Sequence, residues 1–253
     1  MTNKLKYFIG NWKMFGDFKS LKIAHQIHQF CKDYKNFNKK NRIILCIPNT
    51  LIFFFSSKLK SKFISFGAQN CHYHESYGSF TGSVNASMLK KVGAKFVILG
   101  HSENRLEGDT NKKIKIKIKS ALNSKLRVIF CIGETLKEKN SHKTFLVLKK
   151  QITAAIKRNQ DFTKIFIAYE PVWSIGTGKI PQINELKKIF NFIKIEVKKI
   201  SKKRLSPLML YGGSVDRNNI RKLSTISQID GFLIGGASKS PKNFIDIIKN
   251  YYK

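Results

Sequence analysis

Eight near-continuous apolar runs recur along the chain, and six of them end in glycine or a polar residue. They are YFIGNWK (7–13), RIILCIP (42–48), ISFGAQN (64–70), FVILG (96–100), RVIFCIG (127–133), IFIAYEP (165–171), LMLYGG (208–213) and GFLIGG (231–236). A strand with one wet face alternates polar and apolar residues. Strands buried on both faces read as continuous runs, and parallel sheets bury both faces. Between the runs lie Lys-rich stretches with helical spacing, such as NELKKIFNFIKIEVKKI (184–200). Strands alternating with helices imply βαβ units and a parallel sheet. Eight such units in 253 residues match a closed eightfold (β/α)8 barrel ringed by helices. With only five prolines and no Gly/Ser-rich tract to mark a linker, one domain over 1–253 is expected.

KKIKIKIKS (112–120) alternates strictly, and by period alone it is a strand. As a helix, Ile114, Ile118 and Leu122 share one face with Ala121 beside them, and Ile116 is left on the far side. Its place between the fourth and fifth runs favours the helix.

Lys plus Arg number 48 against 15 Asp plus Glu, a formal net charge of +33. One reading is a nucleic-acid or anionic-membrane partner. The other is compositional drift, since Lys, Ile, Asn and Phe are the residues an A/T-rich genome favours. The basic residues are spread along the whole chain with no nucleic-acid motif beside them, which favours drift. Such a field still attracts phosphorylated substrates. Four cysteines stand at 31, 46, 71 and 131 with no paired spacing, so a reduced, cytoplasmic chain is expected. No run approaches the roughly 18 apolar residues of a membrane helix, and the first residues lack a secretory pattern.

Polar and glycine residues gather at the carboxyl ends of the runs, and in an eightfold barrel those ends meet on one face. Glu170 follows a buried strand and precedes the rigid Pro171. A carboxylate in a dry pocket there has its pKa raised towards working pH, as a general base needs. A structural salt bridge is the competing reading. His101 opens a His-Ser-Glu turn whose amides favour a neutral, hydrogen-bond-donating imidazole. A satisfied core histidine fits equally well. Glu103 stands as its second-layer partner or as plain surface charge. Lys13, two residues after Asn11, offers fixed positive charge at the first strand's end, although any single Lys is weak evidence in this chain.

Glycines at Gly176 and Gly178, Gly212 and Gly213, and Gly235 and Gly236 would let backbone N–H groups approach an anion. Two of these pairs close runs seven and eight, where eightfold barrels often hold phosphate. Cys71, His72 and His74 in NCHYHES lack a second cluster to complete a metal site, so no metal is expected.

NWKM (11–14), GAQN (67–70), FTG (80–82), GHSE (100–103), CIGE (131–134), AYEPVWSIGTG (168–178), YGGSV (211–215) and DGFLIGGAS (230–238) together resemble the triosephosphate isomerase family, in that family's order and from end to end. The resemblance implies a TIM barrel that interconverts dihydroxyacetone phosphate and glyceraldehyde 3-phosphate in glycolysis and gluconeogenesis, with no metal or organic cofactor. It implies Glu170 as the base, His101 as the group that polarises the carbonyl, and Lys13 and Asn11 as stabilisers of negative charge. A carboxylate base beside a neutral His under a closing loop is the family's own known arrangement, not a reading from composition. Backbone N–H groups of Gly176, Ser214, Gly235 and Gly236 would hold the phosphate. Residues 171–178 would form the lid, with Ile175 and Leu233 as the apolar clamp that dries Glu170. A homodimer is implied, in which Thr81, on a loop at about 71–84, reaches the neighbour's Asn11 and Glu103 region.

The chain departs from the family at Ser83, where Glu is usual, and at Asn104, where Arg is usual. Loss of both members of an interface pair leaves no unpaired buried charge, so a looser but persistent dimer is expected. Ser174 stands where Ala is usual, and Ile180-Pro181 follows the lid's far hinge; slightly altered lid kinetics are expected. The alternative from another class is a basic nucleic-acid binder on a remnant barrel.

Overall fold

In β1 (Lys6–Asn11), Phe8 and Ile9 are both fully buried although they point to opposite faces. The same holds along β2 (Asn41–Cys46), β3 (Ile64–Ala68), β4 (Phe96–Leu99), β5 (Arg127–Ile132), β6 (Ile165–Tyr169), β7 (Leu208–Tyr211) and β8 (Gly231–Ile234). One residue set, including Tyr7, Ile9, Ile44, Ile98, Ile129, Phe166, Ala168 and Leu233, fills the space inside the sheet. The alternate set, including Phe8, Ile43, Leu45, Val97, Val128, Phe130, Ile167 and Phe232, packs outwards against the helices. This double burial is why the runs read as continuous.

The structure, a computed structural model, describes residues 5–34, 37–201 and 207–253. The strands pair in parallel in sequence order, and β8 pairs with β1 to close the barrel. At the amino end of the interior, Tyr7 meets Phe166 edge-on at 5.0 Å and Phe96 meets Phe166 at 5.8 Å. Such offset aromatic packing gives the barrel a solid floor.

The disputed stretch is a helix, Asn111–Asn123, capped by the Thr110 side chain, which accepts from the Lys113 N–H. Ile114, Ile118 and Ala121 are buried and Ile116 is 40% exposed. Tertiary burial thus overrides the period-2 pattern. The long helix expected at 184–200 spans Ile183–Ser201. The strands end two residues or so before several of the runs do. Trp12 and Lys13, Gln69 and Asn70, and Glu170 and Pro171 lie beyond the ladders. The backbone N–H groups of Trp12 and Glu170 still donate to the neighbouring strands, at Cys46 and Ile132. Among the described residues no helix is long and apolar enough to cross a membrane.

Candidate active site at the carboxyl mouth of the barrel

Phe166 and Ala168 face the barrel interior, and Glu170 continues that two-residue phase one step past the end of β6. Asn11 likewise continues Tyr7 and Ile9. Strand parity alone therefore aims both side chains into the mouth. Both line a cavity of about 260 Å³ together with Lys13, His101, Ile175 and Leu233.

Glu170 is 3% exposed. Its backbone N–H donates to the Ile132 carbonyl at 2.8 Å, which ties the loop start to β5. Burial pushes its carboxyl above the ordinary carboxylate range. The Cys131 thiol, as a hydrogen-bond donor, and the Lys13 ammonium pull the other way without reversing it. Gly212 lies against the Glu170 side chain and Gly133 against its backbone carbonyl. A Cβ on Gly212 would stand 2.6 Å from Glu170 Cγ, and one on Gly133 would stand 1.8 Å from the Glu170 carbonyl oxygen. Only a residue without a side chain admits Glu170 at either place.

His101 Nε2 lies 3.8 Å from Glu170 Oε1. His101 is the N-cap of the short helix Ser102–Leu106, and its Nδ1 accepts the Glu103 N–H at 3.3 Å. An accepting Nδ1 carries no proton, so Nε2–H is the donor and faces the cavity. Glu103 also accepts from Lys13 Nζ at 2.5 Å. Burial works to raise the Glu103 carboxyl, but the hydrogen bond from Lys13 and its charge hold it below the usual range. Lys13 has a positive φ of 56°, strained for a non-glycine residue. Its carbonyl accepts from Gln69 Nε2 at 2.9 Å and its N–H donates to Asn11 Oδ1 at 3.1 Å. These bonds hold the turn that presents the ammonium.

Gly212–Ser214 follow β7 and Gly235–Gly236 follow β8, and they line the same cavity. The 3-10 turn Gly236–Lys239 begins at that second pair. No heavy atom lies within 4 Å of a Cβ placed on Gly236, and the nearest to one on Gly235 is Lys13 Cε at 3.8 Å. Both backbones are open to the cavity. The loop after Glu170 makes one 3-10 turn, Val172–Ser174, and then passes through Gly176 and Gly178 at φ 73° and 75°. Gly176 to Lys179 are exposed. Ile175, half-buried, and Leu233, 2% exposed, line the same cavity.

Thr81 lies apart from this group, on an exposed loop. In that loop His72 stacks on Tyr73 at 4.3 Å and on Phe80 at 4.6 Å, and His74 stacks on Phe80 at 4.7 Å. The histidines pack rings there. Among the described residues no group of three His, Cys, Asp or Glu is placed to hold a metal ion.

Two residues beside the site received no role from the sequence. Glu134, at the end of the fifth run, is fully buried and accepts from Tyr169 OH at 3.1 Å and from Trp173 Nε1 at 2.9 Å. Burial raises its carboxyl as well. It anchors the near side of the loop after Glu170. A second strand-end carboxylate was the available signal. Arg105 donates to the Gly100 carbonyl at 2.7 Å and to the Cys131 carbonyl at 3.1 Å, which binds the His101 turn to β5. Nothing local distinguished it from other basic residues.

A carboxylate and an imidazole converging at the carboxyl ends of a closed parallel eight-stranded sheet place the chain among the TIM-barrel enzymes. The family model described as triosephosphate isomerase matches residues 6–251, and the chain belongs to the triosephosphate isomerase family. It is 37% identical to the triosephosphate isomerase of Mycoplasma mobile, over 96% of this chain and 99% of that one. It is 38% identical to that of Saccharomyces cerevisiae, over 96% and 98% respectively. The crystal structure of the Bartonella henselae triosephosphate isomerase superposes with a TM-score of 0.87 at 32% identity, covering 98% of this chain and 99% of that one.

Proposed function

We propose that this protein interconverts dihydroxyacetone phosphate and glyceraldehyde 3-phosphate, the isomerisation step of glycolysis and gluconeogenesis. The observation that carries the reading is the 3.8 Å approach of His101 Nε2 to Glu170 Oε1 in a cavity that Lys13 also lines. A carbonyl compound bound between them has a base at its carbon and a donor at its oxygen.

In this reading the Glu170 carboxylate takes a proton from the carbon beside the substrate carbonyl. The electron pair moves to the carbonyl oxygen and gives an enediolate. His101 Nε2–H donates to that oxygen and handles the oxygen-bound protons, while Lys13 and Asn11 offset the negative charge. Glu170 then returns its proton to the neighbouring carbon, so the reaction needs no external oxidant or reductant. The phosphate is held by backbone N–H groups of Gly176, Ser214, Gly235 and Gly236. Residues 171–178 close over the site and exclude water, with Ile175 and Leu233 drying the carboxylate.

The chain acts in the cytoplasm as one barrel domain over 1–253 and as a homodimer. Residues 1–4, 35–36 and 202–206 of that span lie outside the described residues. A second cavity of about 320 Å³, lined by Asn11, Lys13, Met14, Gln69, Glu103 and Asn104, lies beside the first. Met14 is 100% exposed there. The partner's 71–84 loop, with Thr81 at its tip, is the occupant we assign to it.

A coupled isomerase assay on the purified protein, run in both directions, tests the reading. Turnover of both triose phosphates supports it. Salt-sensitive DNA binding with little isomerase activity would favour the basic nucleic-acid binder instead.

A further inference from the structure

Ser174 is fully buried in the loop between Glu170 and Gly178. Its Oγ donates to the Lys179 carbonyl at 2.5 Å, lies 3.3 Å from Tyr211 OH, and accepts the Ser214 N–H at 3.2 Å. A hydroxyl has one proton and two lone pairs. With its proton on Lys179, the Ser174 oxygen takes up the Tyr211 O–H and the Ser214 N–H, and its capacity is full. Gly213 leaves room for this node, because a Cβ there would stand 2.3 Å from Tyr211 OH and 2.7 Å from Ser174 Oγ. One hydroxyl thus joins the far limb of the loop, the end of β7 and the loop after it. The loop tip is meanwhile in solvent: Gly176 to Lys179 are exposed and nothing lies within 4 Å of a Cβ on Gly176.

We propose that Ser174 is a positioning residue of the lid, whose hydroxyl holds the Ser214 N–H while no anion is bound and yields it to the substrate phosphate as the lid closes. The inference rests on the proposed function, in which the Ser214 N–H is one of the phosphate donors. An N–H has a single hydrogen and cannot serve the hydroxyl and a phosphate oxygen equally well. Arrival of the phosphate therefore takes one bond from the node that holds the lid open. Phosphate occupancy and lid release draw on the same donor.

Inorganic phosphate is the probe, as a competitive inhibitor of wild type and of Ser174→Ala. The variant removes the competitor for the Ser214 N–H, so its phosphate inhibition constant is expected to fall about three- to tenfold, the net worth of one hydrogen bond. KM moves the same way and kcat does not rise. A merely structural role would lower kcat and leave phosphate affinity unchanged or weakened, and that result, in a variant that melts like wild type, overturns the proposal. Amide exchange on the unmodified protein gives an independent reading should the variant fold poorly. A Ser214 N–H protected in the phosphate-free protein supports the node, and one exchanging at the free-chain rate overturns it. Wild type lacking isomerase activity altogether defeats the functional reading, and the latch with it. Active wild type with an unchanged Ser174→Ala constant defeats the latch alone.

Discussion

Gly212 stands against Glu170 so closely that a Cβ on the glycine would lie 2.6 Å from the glutamate Cγ. The position has no positive φ, so its demand is for space alone. Alanine there is compatible with the backbone and not with the carboxylate in its present place. Gly212→Ala should therefore displace the side chain by a fraction of an ångström or more while the barrel still folds. Misplacement of about 1 Å costs on the order of 100-fold in rate. The coupled assay together with circular dichroism checks this, and a folded Gly212→Ala with wild-type kcat/KM would contradict it.

The raised Glu170 carboxyl makes two connected predictions for pH. The base works only when ionised, so the acid limb of kcat/KM should lie above 4.5, the ordinary glutamate value. Between 4.5 and its raised value the folded state binds this proton more than the unfolded chain does. Stability from this group is thus full below 4.5 and is lost as pH rises through the folded value. Glu170→Gln removes the desolvated charge and should melt higher than wild type at about pH 8, by a few degrees if the gain is about 1 kcal/mol. The gain should shrink towards about pH 4, and scanning calorimetry at the two pH values reads it.

That Asn11 and Glu170 stand at strand ends meeting on one face was legible in the sequence, but their inward aim was not, because a run buried on both faces does not show which of its two phases is the inner one. The helix at Asn111–Asn123 was legible only from its neighbours, since the alternation of Ile114, Ile116 and Ile118 by itself favours a strand and the helix leaves Ile116 exposed. Lys117 on that helix is buried and bonds Asp109 at 2.7 Å and Asn70 Oδ1 at 3.0 Å, a use of lysine that the chain's basic composition hid. Glu134 and Arg105 act through partners on other strands. The Ser174–Ser214 contact joins residues 40 apart along the chain. Such pairings depend on the paths of two loops, which no local pattern encodes.

The +33 charge has consequences that need no nucleic-acid partner. With 15 acidic side chains for 48 basic ones, most cations repel one another. Raising salt from about 0.01 to 0.15 M shortens the screening length from about 30 to 8 Å and should raise the melting temperature. The same screening weakens attraction of a phosphorylated substrate, so KM should rise over that range. A melting temperature that falls with salt would show that attractive pairs dominate.

Ser83 and Asn104 remove a charged pair from the proposed dimer interface and leave neither partner alone. Ser83 N–H donates to the Phe80 carbonyl at 3.0 Å, and the Asn104 carbonyl accepts the Asp109 N–H at 2.9 Å, so both backbones are held within the chain. Losing both charges costs far less than losing one. Sedimentation at micromolar concentration should show a dimer that dissociates on further dilution. Thr81→Glu, which would bring a carboxylate towards Glu103 of the partner copy, should favour the monomer and lower activity with it. A monomer for the unmodified chain at micromolar concentration would contradict the proposed assembly.

The central claim is that Glu170 moves the proton. Turnover of Glu170→Gln in the coupled assay tests it most directly, with inorganic phosphate inhibition as the control for an intact site. The account predicts a loss of at least about 100-fold in kcat, the low end of what a positioned base supplies, with phosphate inhibition retained. A variant that turns over at a rate close to wild type would contradict it.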